Sequence, residues 1–286
     1  MGRWSTDFQN STEAPEALLR IGYLHDRLKQ PSVEWDRIVK DYPASVQAVE
    51  AWRCLGQLAL RNADPDAAIS AFQRSAEMKS VDSDAAELSR LELGYTYISR
   101  FWSDHDAKSL NLAIATLAPV LRSKSQERAV RARLGRGEAF ILLGIHGRAL
   151  MEYQAALDLQ PESSYLKGIA QFEIGVCYDG MDSWSKAEIA LNAFLSSLPG
   201  ASLSAKDGSW KQSRPDFARL VIQNPVKANS LSGVDLVARA AFRRAILLHK
   251  LDRKAEAESL TNAISSAFPD LGAKLSSEIA ASGGGH

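Results

Sequence analysis

The sequence of 286 residues is poor in cysteine, holding only Cys54 and Cys177. Two thiols so far apart provide neither a disulfide framework nor a Cys-x2-Cys zinc pair. Each stands among core-forming residues of a different helical segment, where a small buried side chain is expected. The five histidines, His25, His105, His146, His249 and His286, show no i, i+4 pairing, so no metal site is assigned. Asp104-His105-Asp106, the densest ligand-type cluster, reads as a solvated turn. There is no Gly-x4-Gly-Lys-Ser/Thr loop, no Gly-x-Ser-x-Gly elbow and no His-Glu-x2-His. No catalytic residue and no cofactor follow from the sequence, and the chain reads as a non-enzyme.

An excess of charge of one sign is also missing, since 34 basic side chains balance 34 acidic ones. A chain of zero net charge exerts no general pull on nucleic acid or an anionic membrane, and nucleic acid is not expected as a partner. No apolar run reaches about 18 residues, so no membrane span is expected. The N-terminus has no apolar leader, which places the chain in the cytoplasm as it stands, or in the periplasm if a signal peptide or anchor was removed.

What is present is a beat. Gly175 is followed by Ala187, Leu191, Phe194 and Pro199, at successive steps of twelve, four, three and five. Gly137, Ala149, Tyr153, Ala156 and Pro161 repeat those steps, and Gly56, Ala68, Phe72 and Ser75 repeat them with Ser80 in place of the proline. Such spacing predicts antiparallel helix pairs. The glycine and alanine let two helices approach, large residues at i+4 and i+7 fill one face, and proline ends the pair.

These residues resemble the tetratricopeptide repeat, whose period is about 34 residues. Trp52, Leu55 and Gly56 with Ala68 and Phe72 form the clearest copy. Three further hairpins depart from the pattern. The first, from about Pro15 to Pro43 with Gly22, Trp35 and Ile38, has a turn three residues short. The third has Leu93, Gly94 and Tyr97, but seven extra residues precede Ala113, Leu117 and Val120, so a longer loop is expected from Phe101 to Ser109. The sixth has Ala245 for the glycine, then Ala257, Thr261, Ile264 and Pro269. In the fourth, a register taken from its second helix puts Arg133 and Arg136 at core positions. Asp41-Tyr42-Pro43-Ala44-Ser45, between two helices, looks like the bacterial cell-envelope members of the family.

The expected fold is an all-α solenoid of about six such hairpins with a C-terminal capping helix. It comprises an N-terminal arm (1–14), five repeats (15–199), an irregular insertion (200–234), a sixth hairpin (235–269), and a closing helix with its tail (270–286).

The resemblance implies a protein-interaction scaffold whose concave face is lined by the first helix of each hairpin. That lining is Arg53, Gln57 and Leu60, then Leu91, Tyr95 and Ile98, then Leu134, Glu138 and Ile141. Phe172, Val176 and Asp179 follow, and the sixth hairpin adds Phe242, Ile246 and His249. So apolar a groove favours a partner's peptide or amphipathic helix. Family members that grip acidic chaperone tails use lysine, asparagine and arginine there, which only Arg53 and Gln57 approach. Other readings are that the 200–234 segment fills the groove with Trp210, Phe217 and Leu220, or that these side chains merely pack between neighbouring helices. A reading of another class is a self-assembling protein that forms a homo-oligomer through its ends or the insertion. Arg131 and Arg239 are candidate anion contacts, against the plainer reading of helix faces balanced by acidic neighbours.

Overall fold

The computed structural model describes residues 13–30, 33–78, 84–197 and 236–267, and beyond them Ala273, Ser276, Ser277 and Ile279. The arm before Glu13, the 200–234 insertion, Pro199, Pro269 and the rest of the closing segment lie outside the described residues. Every regular element among the described residues is helical. Successive helices pair as α1 (Ala14–Arg27) with α2 (Glu34–Asp41), α3 (Val46–Arg61) with α4 (Pro65–Glu77), and α5 (Asp84–Asp104) with α6 (Ala107–Leu117). A 3-10 turn, Pro119–Arg122, precedes α7 (Gln126–Leu142), which is followed by α8 (His146–Asp158). Then come α9 (Ser164–Gly180) with α10 (Trp184–Ser197), and α11 (Leu236–Lys250) with α12 (Lys254–Ala267). Contacts gather the chain into two compact units, Met1–Gly135 and Arg136–His286, the boundary falling within α7.

In both units each hairpin closes on one wedge. A Cβ added at Gly56 would lie 2.5 Å from Phe72, and one at Gly94 2.5 Å from Leu117. In the first hairpin a Cβ at Gly22 would collide with the Trp35 indole. In the second unit the same test brings Gly137 to 2.6 Å from Tyr153 and Gly175 to 2.6 Å from Leu191. Phe72, Leu117, Tyr153 and Leu191 are wholly buried, and each such side chain contributes about 1.5–3 kcal/mol by leaving water. Only contact without a side chain on the first helix allows that depth.

The Gly137–Tyr153 contact settles the register of the fourth hairpin. Leu134 and Phe140 take the core, while Arg133 and Arg136 stand at its half-buried flank. Arg136 pairs with Glu152 at 3.1 Å and lies 5.8 Å over the Phe140 ring, so its aliphatic stem packs while its charge is met.

The turns obey a second rule that the sequence does not advertise. Lys29 (φ 55°), Ala63 (φ 57°), Gly144 (φ 73°), Asp182 (φ 53°) and Asp252 (φ 58°) are left-handed, each seven residues past the wedge position. The next amide bonds back to the carbonyl five residues earlier: Gln30 to His25, Asp64 to Ala59, Ile145 to Phe140, Ser183 to Tyr178 and Arg253 to Leu248. This is the Schellman stop, normally given to glycine, and here glycine fills it only once.

One expectation changes. The extra residues of the third hairpin do not form a loop from Phe101 to Ser109; they lengthen α5 to Asp104, and only His105 and Asp106 lie between it and α6. Nothing from Tyr95 to Trp102 breaks a helix. Asp104 accepts from Arg100 at 3.2 Å, and Asp106 caps α6 by accepting from the Lys108 amide at 2.9 Å. The Asp-Tyr-Pro-Ala-Ser stretch is likewise a stop and a start, with Ser45 capping α3 by accepting from Ala48 N at 3.2 Å.

Opposite changes of backbone should therefore have opposite effects. Gly137→Ala should destabilise by about 1–3 kcal/mol through overpacking on Tyr153. Ala63→Gly should stabilise by about 0.5–1 kcal/mol by relieving the left-handed alanine. Urea unfolding of both variants reads the signs.

Candidate functional site

The first helices of the first unit, α1, α3 and α5, carry a linked set of charges rather than an apolar strip. Arg53 donates to Glu50 at 2.5 and 2.7 Å from α3 itself and to Glu92 of α5 at 3.0 Å. Gln57 donates to Glu92 at 2.6 Å, and the Tyr23 hydroxyl of α1 donates to Glu50. Arg61 pairs with Asp26 at 2.5 Å. Arg53 keeps 13% side-chain exposure, Glu50 18% and Glu92 20%.

Burial pushes Glu92 above the ordinary carboxylate range, against the pull of Arg53. Burial also acts upward on Glu50, but the bonds and charge of Arg53 hold it below that range. Arg53 resists desolvation through the same two carboxylates and keeps its proton more firmly than a free guanidinium. It is therefore committed within the chain, and an acidic tail would have to displace both partners. Arg53 and Gln57 of the expected lining are thus bound to Glu50 and Glu92 and do not stand ready for an incoming carboxylate, while Leu60, also of that lining, is 43% exposed on α3.

Among the other expected lining residues, Leu91, Ile98, Leu134 and Phe172 are 4, 3, 1 and 3% exposed. They pack inside the hairpins and offer no surface, which corrects their placement in a groove. For Leu91, Leu134 and Phe172 the reason lies in the wedge: three residues before the glycine, the side chain already turns beneath the neighbouring helix, and Ile98, seven residues after Leu91, lies on the same helical face. The position one past the wedge stays partly exposed in every hairpin. It is Gln57 and Tyr95 in the first unit, where Tyr23 of the first hairpin is more exposed at 38%, and Glu138, Val176 and Ile246 in the second. Tyr95 donates to the Arg131 carbonyl at 2.8 Å. In the second unit α9 and α11 touch, and Val176, Phe242 and Ile246 remain partly exposed on them.

Most of the arginines singled out meet acids of the same chain. Arg131 pairs with Glu127 at 2.7 Å, Arg128 with Asp84 at 2.7 Å and Glu87 at 3.0 Å, and Arg243 with Asp179 at 3.1 Å. As an anion contact Arg131 is thus already occupied, whereas Arg239 is exposed near the start of α11. No three potential metal ligands converge among the described residues. Cys54 and Cys177 are buried free thiols, both pushed up to about 12 by desolvation.

Glu50, Glu92 and Tyr23 are the residues that pattern reading missed. The i, i+3 spacing of Glu50 and Arg53 carries the local signal, but the link to Glu92 spans two hairpins.

A model of the tetratricopeptide repeat family matches residues 109–164, a stretch that contains the whole α7–α8 hairpin. The peroxisomal targeting signal receptor of Pichia angusta is 26% identical over 202 residues, which are 70% of this chain and 33% of that protein. The chain thus spans about a third of that relative's length. The solved TPR-like repeats of a kinesin light chain candidate from Podosopora anserina superpose with a TM-score of 0.50 at 14% identity, covering 79% of this chain and 95% of that one. At such identity the likeness is one of fold.

Arg53→Ala should cost about 2 kcal/mol, less than a fully buried pair, by leaving Glu50 and Glu92 without their cation. A second Glu92→Gln change should recover part of it. Glu92→Gln alone should flatten the pH dependence. A raised carboxyl stabilises the fold below its unfolded value of about 4.3, and that contribution is lost as pH rises through the folded value. Chemical unfolding from pH about 4 upward measures both effects.

Proposed function

We propose that this chain, a tetratricopeptide-repeat protein, is a non-catalytic scaffold that binds a peptide or helix of a protein partner on the first helices of its hairpins. Repeats of this family generally mediate protein–protein contact. The observation that carries the finer reading is the row one residue past each wedge, partly exposed in every hairpin and apolar at Val176 and Ile246. With Phe242 beside them, α9 and α11 provide an apolar strip for a partner's side chains, while the charged set around Arg53 supplies a polar stretch in the other unit. The relative that matches most of this chain's length is, by its name, a receptor for a targeting signal. A short segment of another protein suits the same kind of surface.

One observation favours the alternative of self-assembly. Leu24, Leu28 and Val33, at the turn end of the first hairpin, are 55, 64 and 58% exposed. A second copy could cover them, and light scattering over a concentration series would reveal it as a rising mass.

The test of the main reading is a comparison of two faces. Phe242→Glu with Ile246→Glu should abolish capture of a defined set of proteins identified by mass spectrometry. Met151→Glu, at a site 69% exposed on a second helix, should leave it intact. Equal capture by both variants, each with unchanged helical circular dichroism, would contradict the proposal.

A further inference from the structure

The sixth hairpin is built differently from the rest. Its wedge is Ala245 with Thr261 in place of a glycine with a large apolar residue, and Thr261 donates to its own helix at Ala257 O, 2.7 Å away. Burial on α11 comes largely from small side chains, Ala240, Ala241 and Ala245, joined by Leu247 and Leu248. α12 adds Ala257, Leu260, Ala263 and Ile264, but no aromatic ring is fully buried among the hairpin's described side chains, so it gains less from leaving water than the fourth and fifth hairpins do.

Charge takes up that role: across the interface every cation stands on one side, while Arg253 also meets Glu256 of its own hairpin at 2.7 Å. Arg244 meets Glu188 of α10 at 2.9 Å and Arg253 meets the same carboxylate at 3.1 Å. Arg243 meets Asp179 of α9 at 3.1 Å, and Lys250 approaches it at 3.8 Å while lying 5.0 Å over the Trp184 ring. All the cations belong to the sixth hairpin or its turn, and both carboxylates belong to the fifth. Glu188, 5% exposed, is the one charged residue fully buried among the described residues. Removing it would leave the largely buried Arg244 without its acid, while Arg253 would keep Glu256.

We propose that the sixth hairpin is a reversibly docked module, released from α9 and α10 as one unit when the Asp179–Glu188 seat is neutralised or occupied by a competing cation. The fourth and fifth hairpins stay folded when it leaves. In a stacked array each repeat contacts only its neighbours, so a repeat whose interface rests on charge can open apart from the others. The arrangement makes the extent of the second unit's first-helix row adjustable, because Phe242 and Ile246 leave with α11.

Hydrogen exchange of the full chain, followed by mass spectrometry, tests this. Between about 0.1 and about 1 M NaCl the screening length falls from about 10 to about 3 Å, and the partly exposed Asp179 pairs weaken most. Exchange in 236–267 should rise about tenfold while 166–195 stays protected. Glu188→Gln should produce the same local rise at low salt, and Asp179→Asn a smaller one. If 236–267 and 166–195 lose protection together under salt, or if neither salt nor Asp179→Asn affects 236–267 selectively, the module does not exist and the ion pairs merely add to the stability of one cooperative unit.

Discussion

The meeting of a bare stretch of first helix with one large side chain of the second is the interaction on which the rest of this molecule depends. Where Gly56, Gly94, Gly137 and Gly175 remove their side chains, Phe72, Leu117, Tyr153 and Leu191 descend to complete burial. That close approach brings the two helices together, and a left-handed stop, seven residues later except in the lengthened third hairpin where it is His105, returns the chain at the right place to make it. Each hairpin is then a unit that must stack, because its outer apolar faces remain uncovered until a neighbour arrives.

Function follows from what this packing leaves over. Leu91, Leu134 and Phe172, three residues before the wedge, are consumed inside, and the position after it remains at the surface. In the first unit the surface is tied by Arg53, Glu50, Glu92 and Gln57 into a network that joins α3 to α5. In the second Val176, Phe242 and Ile246 stay partly exposed. The first helices of the two units thus present different chemistries, a linked polar set and a partly exposed apolar one.

The hairpins, their wedge residues and the buried cysteines were legible because each depends on spacing along one chain segment, and spacing survives in a sequence. The departures were legible only in part. The extra residues of the third hairpin contain no breaker, so they extended α5 instead of forming a loop. The fourth hairpin's arginines looked misplaced until Glu152 and Phe140 met Arg136. The left-handed turns were hidden because Lys29, Ala63, Asp182 and Asp252 stand where glycine would have announced them. The charged set around Arg53 escaped for another reason: Glu92 reaches it from a different hairpin, and no pattern within one helix encodes that meeting.

A double-mutant cycle between Gly175 and Leu191 measures the wedge most directly. A Cβ at Gly175 would stand 2.6 Å from Leu191, so Gly175→Ala should be clearly destabilising in the native background and close to neutral once Leu191→Ala has vacated the space. Additive losses in urea unfolding, with no coupling between the two sites, would contradict the claim that this contact organises the fold.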